Sequence, residues 1–401
     1  MARVVLFKGQ SNYGALRVHI DQLAGALRQL GHDAVVIDLL AYNAIHLLNQ
    51  TIKRQCDLFF AFNGIGCDIG SDNQLLYNAL DVPFMAALVD HPNCHISRLD
   101  TKLKHYLVTC LDRSHIKFLD SRYGSDHLAF KSFLVPGGNV SSNYQVETTY
   151  DEFIEKRTIP ILFTGSFHGE AKRGWLDFPK SIVNLLDQVA EYTLVHDMMP
   201  LEDSLDYILS VSNIGISSKV KKKLDMLMHQ VQHFVHHTRR FKFVKTLGEA
   251  GVPVAVYGQG WEPWLDKWTS FTLYEEGKVE DTLDNLHKAK ICLNTNTHFV
   301  NGGHERVFNA MINGATIFTD QSKYYNEIFV DDEEIITYTW SKLDEVPEKL
   351  FSLIENPEKI YKISQAAKRK VDKDHTWKNR AEQIIDMLEL YRTLNNMHGN
   401  G

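Results

Sequence analysis

Cysteine is scarce and scattered. The 401-residue chain carries 5, at Cys56, Cys67, Cys94, Cys110 and Cys292, with no C-x-x-C pair among them. That excludes a disulfide framework and a zinc ribbon and favours a reducing, cytoplasmic setting. Long apolar runs are missing as well. No segment approaches the ~20 consecutive apolar residues of a membrane-spanning helix. The opening run Val4-Val5-Leu6-Phe7 is too short for a signal peptide. Glycine (24) and proline (10) are too few for a collagen-like or linker-dominated chain. Basic charge is not in excess: 43 Lys and Arg against 50 Asp and Glu give −7. A general nucleic-acid binder needs a basic footprint, so this balance argues against that class while leaving room for a local basic patch. Neither half carries G-x-G-x-x-G after its first strand, and no G-x-x-x-x-G-K-[ST] occurs, so an NAD enzyme and a P-loop are disfavoured.

What is present is a globular composition, 44% hydrophobic and 23% charged, over a length that predicts about two to three domains. In the first ~150 residues, short apolar runs alternate with helix-period segments. Val4–Phe7 reads as a strand. Leu16, Ile20, Leu23, Leu27 and Leu30 then recur at spacings of four and three, one face of a helix, and Gly31 supplies its stop. Further strands are predicted at Ala34–Ile37, Leu58–Phe62, Phe84–Val89, Tyr106–Val108 and Phe133–Val135. Repeated strand–helix–strand order means right-handed crossovers and a parallel sheet covered on both faces, a Rossmann-like domain over 1–145. The polar stretch 141–158 reads as a linker. The alternation restarts at Ile159–Thr164 and continues at Val252–Tyr257, Ile291–Asn294 and Thr316–Thr319, which predicts a second Rossmann-like domain over 155–375. Its first crossover is too long for one helix, so a helical insertion is expected at about 180–238. Ligands of such sheets bind beyond the carboxyl ends of the strands, and two facing domains turn that crevice into a cleft.

The sharpest motif is Asn301-Gly302-Gly303-His304-Glu305-Arg306-Val307-Phe308-Asn309, which ends in Asn313-Gly314-Ala315. A helix start after two glycines offers orphan amides and a positive dipole end to an anion. Glu305 can accept sugar hydroxyls and Arg306 can fork onto phosphate. The same residues also read as a turn, a cap and an ion pair. Gly165-Ser166 follows the first strand of that domain and leads to Lys172 and Arg173, a phosphate cradle or a solvated turn. Gly258-Gln259-Gly260-Trp261 follows the next strand. Trp261 can flank a base or sugar, or anchor the core. Asn294 and Asn296 end the strand after it.

On these residues the C-terminal half resembles the donor domain of a GT-B glycosyltransferase. It is similar, more narrowly, to the bacterial CgeB-like (spore maturation protein) group. The likeness rests on the segment from Gly302 or Gly303 to Ala315, the Gly258–Trp261 turn, the Gly165-Ser166 loop and Leu88-Val89-Asp90-His91-Pro92. The Trp377-containing helix fits the GT-B habit of a last segment, 376–401, that crosses back to the first domain. The insertion departs from the group's pattern. The resemblance implies a metal-independent hexosyltransferase that uses a nucleotide sugar as co-substrate, with no further cofactor. Its phosphates would lie at Gly303, His304, Glu305 and Arg306, with Lys172 or Arg173 assisting and Gly165, Ser166, Gly258, Gly260, Trp261, Asn294 and Asn309 around the donor. The acceptor would be a glycan, lipid-linked or protein molecule. A cytoplasmic chain open to peripheral membrane contact fits these expectations. The alternatives are a nucleotide-sugar epimerase of similar build and a non-catalytic nucleotide-sugar-binding module.

A base for an acceptor hydroxyl is expected after a strand of the first domain. Asp90 and His91 hold that place, with His19 behind them. An inverting transferase needs such a base and a retaining one does not. His229, His233 and His237, with His236 beside them, have i, i+4 spacing, but three ligands on successive turns of one straight helix converge poorly on a metal. Lys219, Lys221, Lys222, Lys223, Arg239, Arg240 and Lys242 make that stretch basic, either a solvated face or a contact for an anionic acceptor. The D-x-D at Asp372-Lys373-Asp374 lies in a charged run and reads as surface.

Overall fold

The computed structural model describes all residues except 72–73, 145–146, 148, 275–276, 297–298 and 400–401. The chain divides into two compact units. The first is Met1–Asn139 with Lys373–Gly401, and the second is Val140–Asp372.

In the first unit the strands are β1 (Arg3–Lys8), β2 (Asp33–Asp38), β3 (Leu58–Phe62), β6 (Phe84–Leu88), β7 (Tyr106–Cys110) and β8 (Phe130–Phe133). A small antiparallel pair, β4 (Gly70–Ser71) and β5 (Gln74–Leu75), lies between β3 and β6 in sequence. The six long strands form one parallel sheet in the order β2-β1-β3-β6-β7-β8. The reason is legible in β1: Val4 and Leu6 point to one face and Val5 and Phe7 to the other, and all four are buried. One face packs on Ile20, Leu23 and Leu27 of the helix Ala15–Gln29 and on Trp377, Ile384 and Leu388 of the closing helix Trp377–Gly399. The other packs on Leu48, Tyr77, Leu99 and Phe118. The last strand begins three residues before the predicted Phe133–Val135, because Phe130 through Phe133 carry the ladder to β7.

In the second unit β9 (Ile159–Thr164), β10 (Val254–Tyr257), β11 (Phe271–Tyr274), β12 (Ala289–Leu293), β13 (Thr316–Asp320) and β14 (Ile336–Tyr338) form a parallel sheet in the order β11-β10-β9-β12-β13-β14. The insertion is three helices, Lys180–Val195, Leu201–Val211 and Ser218–Glu249. They enclose a core of their own around Trp175, Leu186, Leu205 and Val231. The 32-residue helix Ser218–Glu249 serves both bodies, since its last turns bury Phe243, Val244 and Leu247 in the main core.

The stretch 141–158 is not the linker its polarity suggests. Residues Tyr150–Lys156 are helical. The side chains of Glu147 and Arg157 are fully buried against each other at 3.0 Å. Arg157 also donates to the carbonyls of Leu286, Ala289 and Asn313. Glu147 and Arg157 are thus internal struts of the second unit.

Candidate functional site

The second unit gathers polar groups where β9, β10 and β12 end. The loop after β9 turns sharply at Gly165, whose φ is 146°. Gly258, at φ 137°, comes so close that an added Cβ would stand 2.7 Å from the Gly165 carbonyl carbon. At Gly260 a Cβ would run into the Phe167 carbonyl oxygen. These glycines join the β9 and β10 loops backbone to backbone, an approach no larger residue permits. Two main-chain bonds seal the joint, Gly165 N–H to the Tyr257 carbonyl and Phe167 N–H to that of Gln259, both 2.8 Å. Trp261 is a buried support and does not line a site: it stacks on Phe167 at 4.7 Å between centroids and donates to the Gly165 carbonyl at 3.0 Å. The base-flanking expectation for it is corrected accordingly.

Two arginines converge on this loop. Arg306 turns back over the strand ends. Its Nε donates to Thr164 Oγ1 at 3.0 Å and one terminal nitrogen to Asn294 Oδ1 at 2.6 Å. Asn294, fully buried, is itself held by Thr319 at 2.9 Å. Arg240 arrives from the long insertion helix. It donates to the Ser166 carbonyl at 3.1 Å and to Thr295 Oγ1 at 3.3 Å. An added Cβ on Gly165 would lie 3.4 Å from Arg306 and 3.9 Å from Arg240, so both guanidinium groups reach the glycine. Among the described residues neither arginine has a carboxylate in ion-pair contact. Burial, and then the charge of Arg306 beside it, push the Arg240 guanidinium down to about 9. It is charged at neutral pH and poorly compensated. Two such cations over a permissive loop are the physical signature of an anion site.

The helix Glu305–Ile312 contributes less than its sequence suggests. Its cap is His304, whose Nδ1 accepts the Arg306 N–H at 3.1 Å and also lies 3.0 Å from the Glu305 carboxylate. The His304 N–H donates to Tyr325 Oη at 2.8 Å. Two of the amides expected to cradle phosphate are therefore occupied by the chain's own side chains. Gly303 is small for packing reasons, since a Cβ there would meet the Tyr325 and Phe308 rings at 3.1 and 3.3 Å. Behind this corner Tyr325 donates to Asn296, the Asn296 N–H donates to the buried Asp320 carboxylate, and Trp340 donates to Asp320 at 3.1 Å. Glu305 remains partly exposed at the helix start.

Other expected contributors lie elsewhere. Arg173 is ion-paired with Asp187 at 3.0 Å and fastens the loop to the insertion, and Lys172 is exposed beside it. Asn309 is buried within its helix. His237 packs edge-on against His168 at 5.1 Å, and His229 against His233 at 4.3 Å, but no group of three or more metal-binding side chains is assembled among the described residues. Asp372 pairs with Lys368. Arg239 is buried and donates to the carbonyls of Thr193 and His196, so it is structural.

In the first unit Asp90 and His91 separate in role. His91 is buried against His115 and Phe118, and its Nδ1 accepts the Asn93 N–H at 3.1 Å, capping its own turn. Asp90 stays half exposed. Asn63 donates to it at 3.1 Å and His95 lies 3.4 Å away. His19 is a core residue, bonded to Asn139 and packed on Trp377.

Residues 239–386 match the family model described as glycosyl transferase-like. Solved structures resemble the whole chain. An alpha-glucosyltransferase in complex with UDP-glucose and DNA containing an abasic site aligns with a TM-score of 0.56 at 10% identity, over 96% of this chain and 99% of that one. Sucrose-phosphate synthase from Thermosynechococcus elongatus gives 0.55 at 10% identity, over 99% and 100%. A glycosyltransferase involved in avilamycin A biosynthesis gives 0.51 at 12%, over 98% of each chain. No curated protein sequence matches the chain. The fold is that of the GT-B glycosyltransferases. The family match opens at Arg239 and takes in Arg240, Asn294 and Arg306, three of the residues that meet at the Gly165 loop. Thr164, Thr295 and Arg240 were not singled out for the site from sequence. Arg240 lies 75 positions after Gly165, and only the path of the insertion helix brings the two together. No described helix is long and apolar enough to cross a membrane.

Proposed function

We propose that the chain is a glycosyltransferase whose second unit holds a nucleotide-diphosphate sugar, with the diphosphate on Arg240, Arg306 and the Gly165-Ser166 loop. The observation that carries this reading is the convergence of two arginines, without a carboxylate partner among the described residues, on one glycine at the carboxyl edge of a parallel sheet. In the transfer an acceptor oxygen bonds to the anomeric carbon and gives up its proton. The bond from that carbon to the diphosphate oxygen breaks, and its electron pair leaves with the nucleotide. Negative charge grows on the diphosphate, where fixed cations lower the barrier. Arg240 and Arg306 supply that charge, so the transfer is metal-independent and uses no further cofactor. The glycosyl transferase-like match and the UDP-glucose bound to a neighbour of the same fold support a nucleotide sugar as donor. The hexosyl class and the CgeB-like grouping belong to this reading.

The test is calorimetry and thermal shift with UDP and UDP-glucose, followed by a turnover assay. A ligand that binds only the folded state raises the melting temperature by mass action. Binding of UDP that is lost on Arg306→Ala is the expected result. Equal UDP binding by Arg306→Ala, Arg240→Ala and the wild type would remove the donor from this place.

A further inference from the structure

The three-helix insertion ends in a tip that its own core leaves uncovered. Leu205, Ile208 and Leu209 of the helix Leu201–Val211 are buried in that core. Beyond them every residue from Ser210 to Val220 is exposed except Ile216, which is partly so. Apolar side chains stand among them: Val211 is 55% exposed, Ile214 44% and Val220 43%, with Tyr207 at 47% one turn before Val211. Between Asp206 and Asp225 the chain has four lysines, Lys219, Lys221, Lys222 and Lys223, and no acidic residue, so the tip carries +4 in a chain whose net charge is −7. Arg239 and Arg240, farther along the same helix, bond to carbonyls of the protein and take no part.

The tip is built and not frayed. The first of its helices closes on Asn213, at φ 51°, whose N–H donates to the Ser210 carbonyl at 3.1 Å, while the Ile214 N–H donates to that of Leu209 at 2.9 Å. In such a closure the residue in the place of Ile214 commonly folds onto the one in the place of Leu209, yet Ile214 stays 44% exposed. Ser217 caps the next helix, its Oγ accepting the Val220 N–H at 3.4 Å. Lys221 reaches Asp206 at 2.5 Å, which sets the start of the helix Ser218–Glu249 beside the residue before Tyr207. That start has the wrong sign of charge for its own dipole: its first turn has no acidic residue, and four of its first six residues are lysines. Folding gains nothing from this clustering, nor from apolar side chains left in water.

Lysines interspersed with apolar side chains match the face of an anionic lipid bilayer. Ammonium groups lie at the headgroups, and the apolar tips reach below them. The residue types separate this occupant from others. All four cations are lysines, point charges without the planar fork that suits individual phosphates and bases. A protein partner fits poorly as well, since protein interfaces are depleted in lysine. We propose that the insertion tip, Tyr207 to Lys223, is a docking surface for an anionic membrane, with Lys219, Lys222 and Lys223 at the headgroups and Val211, Ile214 and Val220 at the acyl boundary. This surface does not rest on the glycosyl-transfer reading.

The experiment is co-sedimentation of the full chain with sucrose-loaded vesicles, of phosphatidylcholine alone and of phosphatidylcholine with phosphatidylglycerol. The expected result is binding to the anionic vesicles that weakens as salt is added, and little binding to the neutral ones. Lys219→Gln, Lys222→Gln and Lys223→Gln together should weaken it by about a hundredfold, roughly fivefold for each lysine. Val211→Ser with Ile214→Ser, which leaves every charge in place, should weaken it by roughly tenfold. These positions are exposed, so both variants should keep the wild-type melting temperature and UDP affinity. An absence of binding to anionic vesicles overturns the proposal, as does binding that neither variant changes. Single-stranded DNA or polyglutamate bound as tightly as the vesicles, with Val211→Ser and Ile214→Ser without effect, assigns the patch to a soluble polyanion and overturns it too. UDP calorimetry on the wild-type chain scores the donor reading separately. A chain that binds UDP but no vesicle loses this surface alone, and a chain that binds vesicles but not UDP loses the donor reading alone.

Discussion

Arg240 and Arg306 flank one aromatic ring, their guanidinium carbons 5.8 and 6.0 Å from the centre of Phe163. The two come from segments 66 positions apart in the chain, and each is aimed by neutral oxygens and not by a carboxylate. Like charges held together in partial burial destabilise the free protein. A diphosphate removes that cost and gains two charge-assisted contacts.

The first prediction separates affinity from stability. Arg306→Ala and Arg240→Ala should each weaken UDP binding by about 1.5–3 kcal/mol, the value of a hydrogen bond to a charged group. Arg306→Lys should recover little of this, because an ammonium cannot span Thr164 and Asn294 as the planar fork does. Arg240→Met should keep or raise the melting temperature of the unliganded chain while lowering UDP affinity, two effects of opposite sign. Inorganic pyrophosphate alone should stabilise the wild type, less so as salt is added. Loss of stability and affinity in parallel would make Arg240 a structural residue.

Most of the fold was legible because buried parallel strands are nearly continuous apolar runs. Ile159–Thr164 and Leu58–Phe62 coincide with observed strands to the residue. The strands missed are the two edges of the second sheet and the two-residue pair Gly70–Ser71 and Gln74–Leu75. Phe271–Tyr274 alternates buried with exposed, and Ile336–Tyr338 has only three residues, so neither presents a strong period. The candidate site was legible where it is local, in Gly165, Ser166, Asn294 and Arg306. Trp261 could not be placed, because a tryptophan after a glycine turn looks the same whether it faces a ligand or stacks on Phe167. Arg240 and Asn63 were hidden for another reason. Their roles depend on contacts 74 and 27 positions away, to Ser166 and Asp90, that carry no local signature.

The second prediction concerns pH. Burial, and then the neighbouring His168, Arg240 and His233, push the His237 imidazole down to about 4. In the unfolded chain a histidine titrates near 6.5. Between those values the unfolded state binds the extra proton, so stability should fall as the pH drops from about 7 through 6.5 toward 4, and return as it rises. His237→Gln should flatten that dependence. Urea midpoints at about pH 7 and pH 5 should therefore differ more for the wild type than for the variant, by less than full linkage allows because the ring is partly exposed to solvent. Identical pH dependence in both proteins would assign the titration elsewhere.

The third prediction tests the joint between the two loops. Gly258→Ala and Gly260→Ala each place a Cβ against a backbone carbonyl and force a residue to φ 137° or 82°. Each should cost at least about 1–3 kcal/mol by urea unfolding, the scale of a residue held in a sparsely populated region. Each should also reduce UDP affinity in protein that remains folded, because the Gly165 turn under both arginines would shift. An unaltered affinity in a folded variant would mean that the joint supports the sheet without shaping the anion site.

The fourth prediction concerns the strut behind the same helix. Arg157 and Glu147 are buried at 3.0 Å, and Arg157 closes the far end of the helix that begins at Glu305 through its 2.7 Å bond to the Asn313 carbonyl. Burial pushes the Glu147 carboxyl up and the Arg157 guanidinium down, opposing the attraction between them. Arg157→Met should therefore cost about 3–5 kcal/mol, since it strands a buried carboxylate and strips three carbonyls of their donor. The double variant Glu147→Leu, Arg157→Met should cost less than the sum of the single changes, because the two groups share one interaction. The penalty for Arg157→Met should also shrink on acidification. Without its partner Glu147 binds a proton more tightly in the folded state than in the unfolded one, so lowering the pH through its raised pKa restores stability. Additive costs, or a penalty that grows at low pH, would show that the pair is not the strut its burial implies.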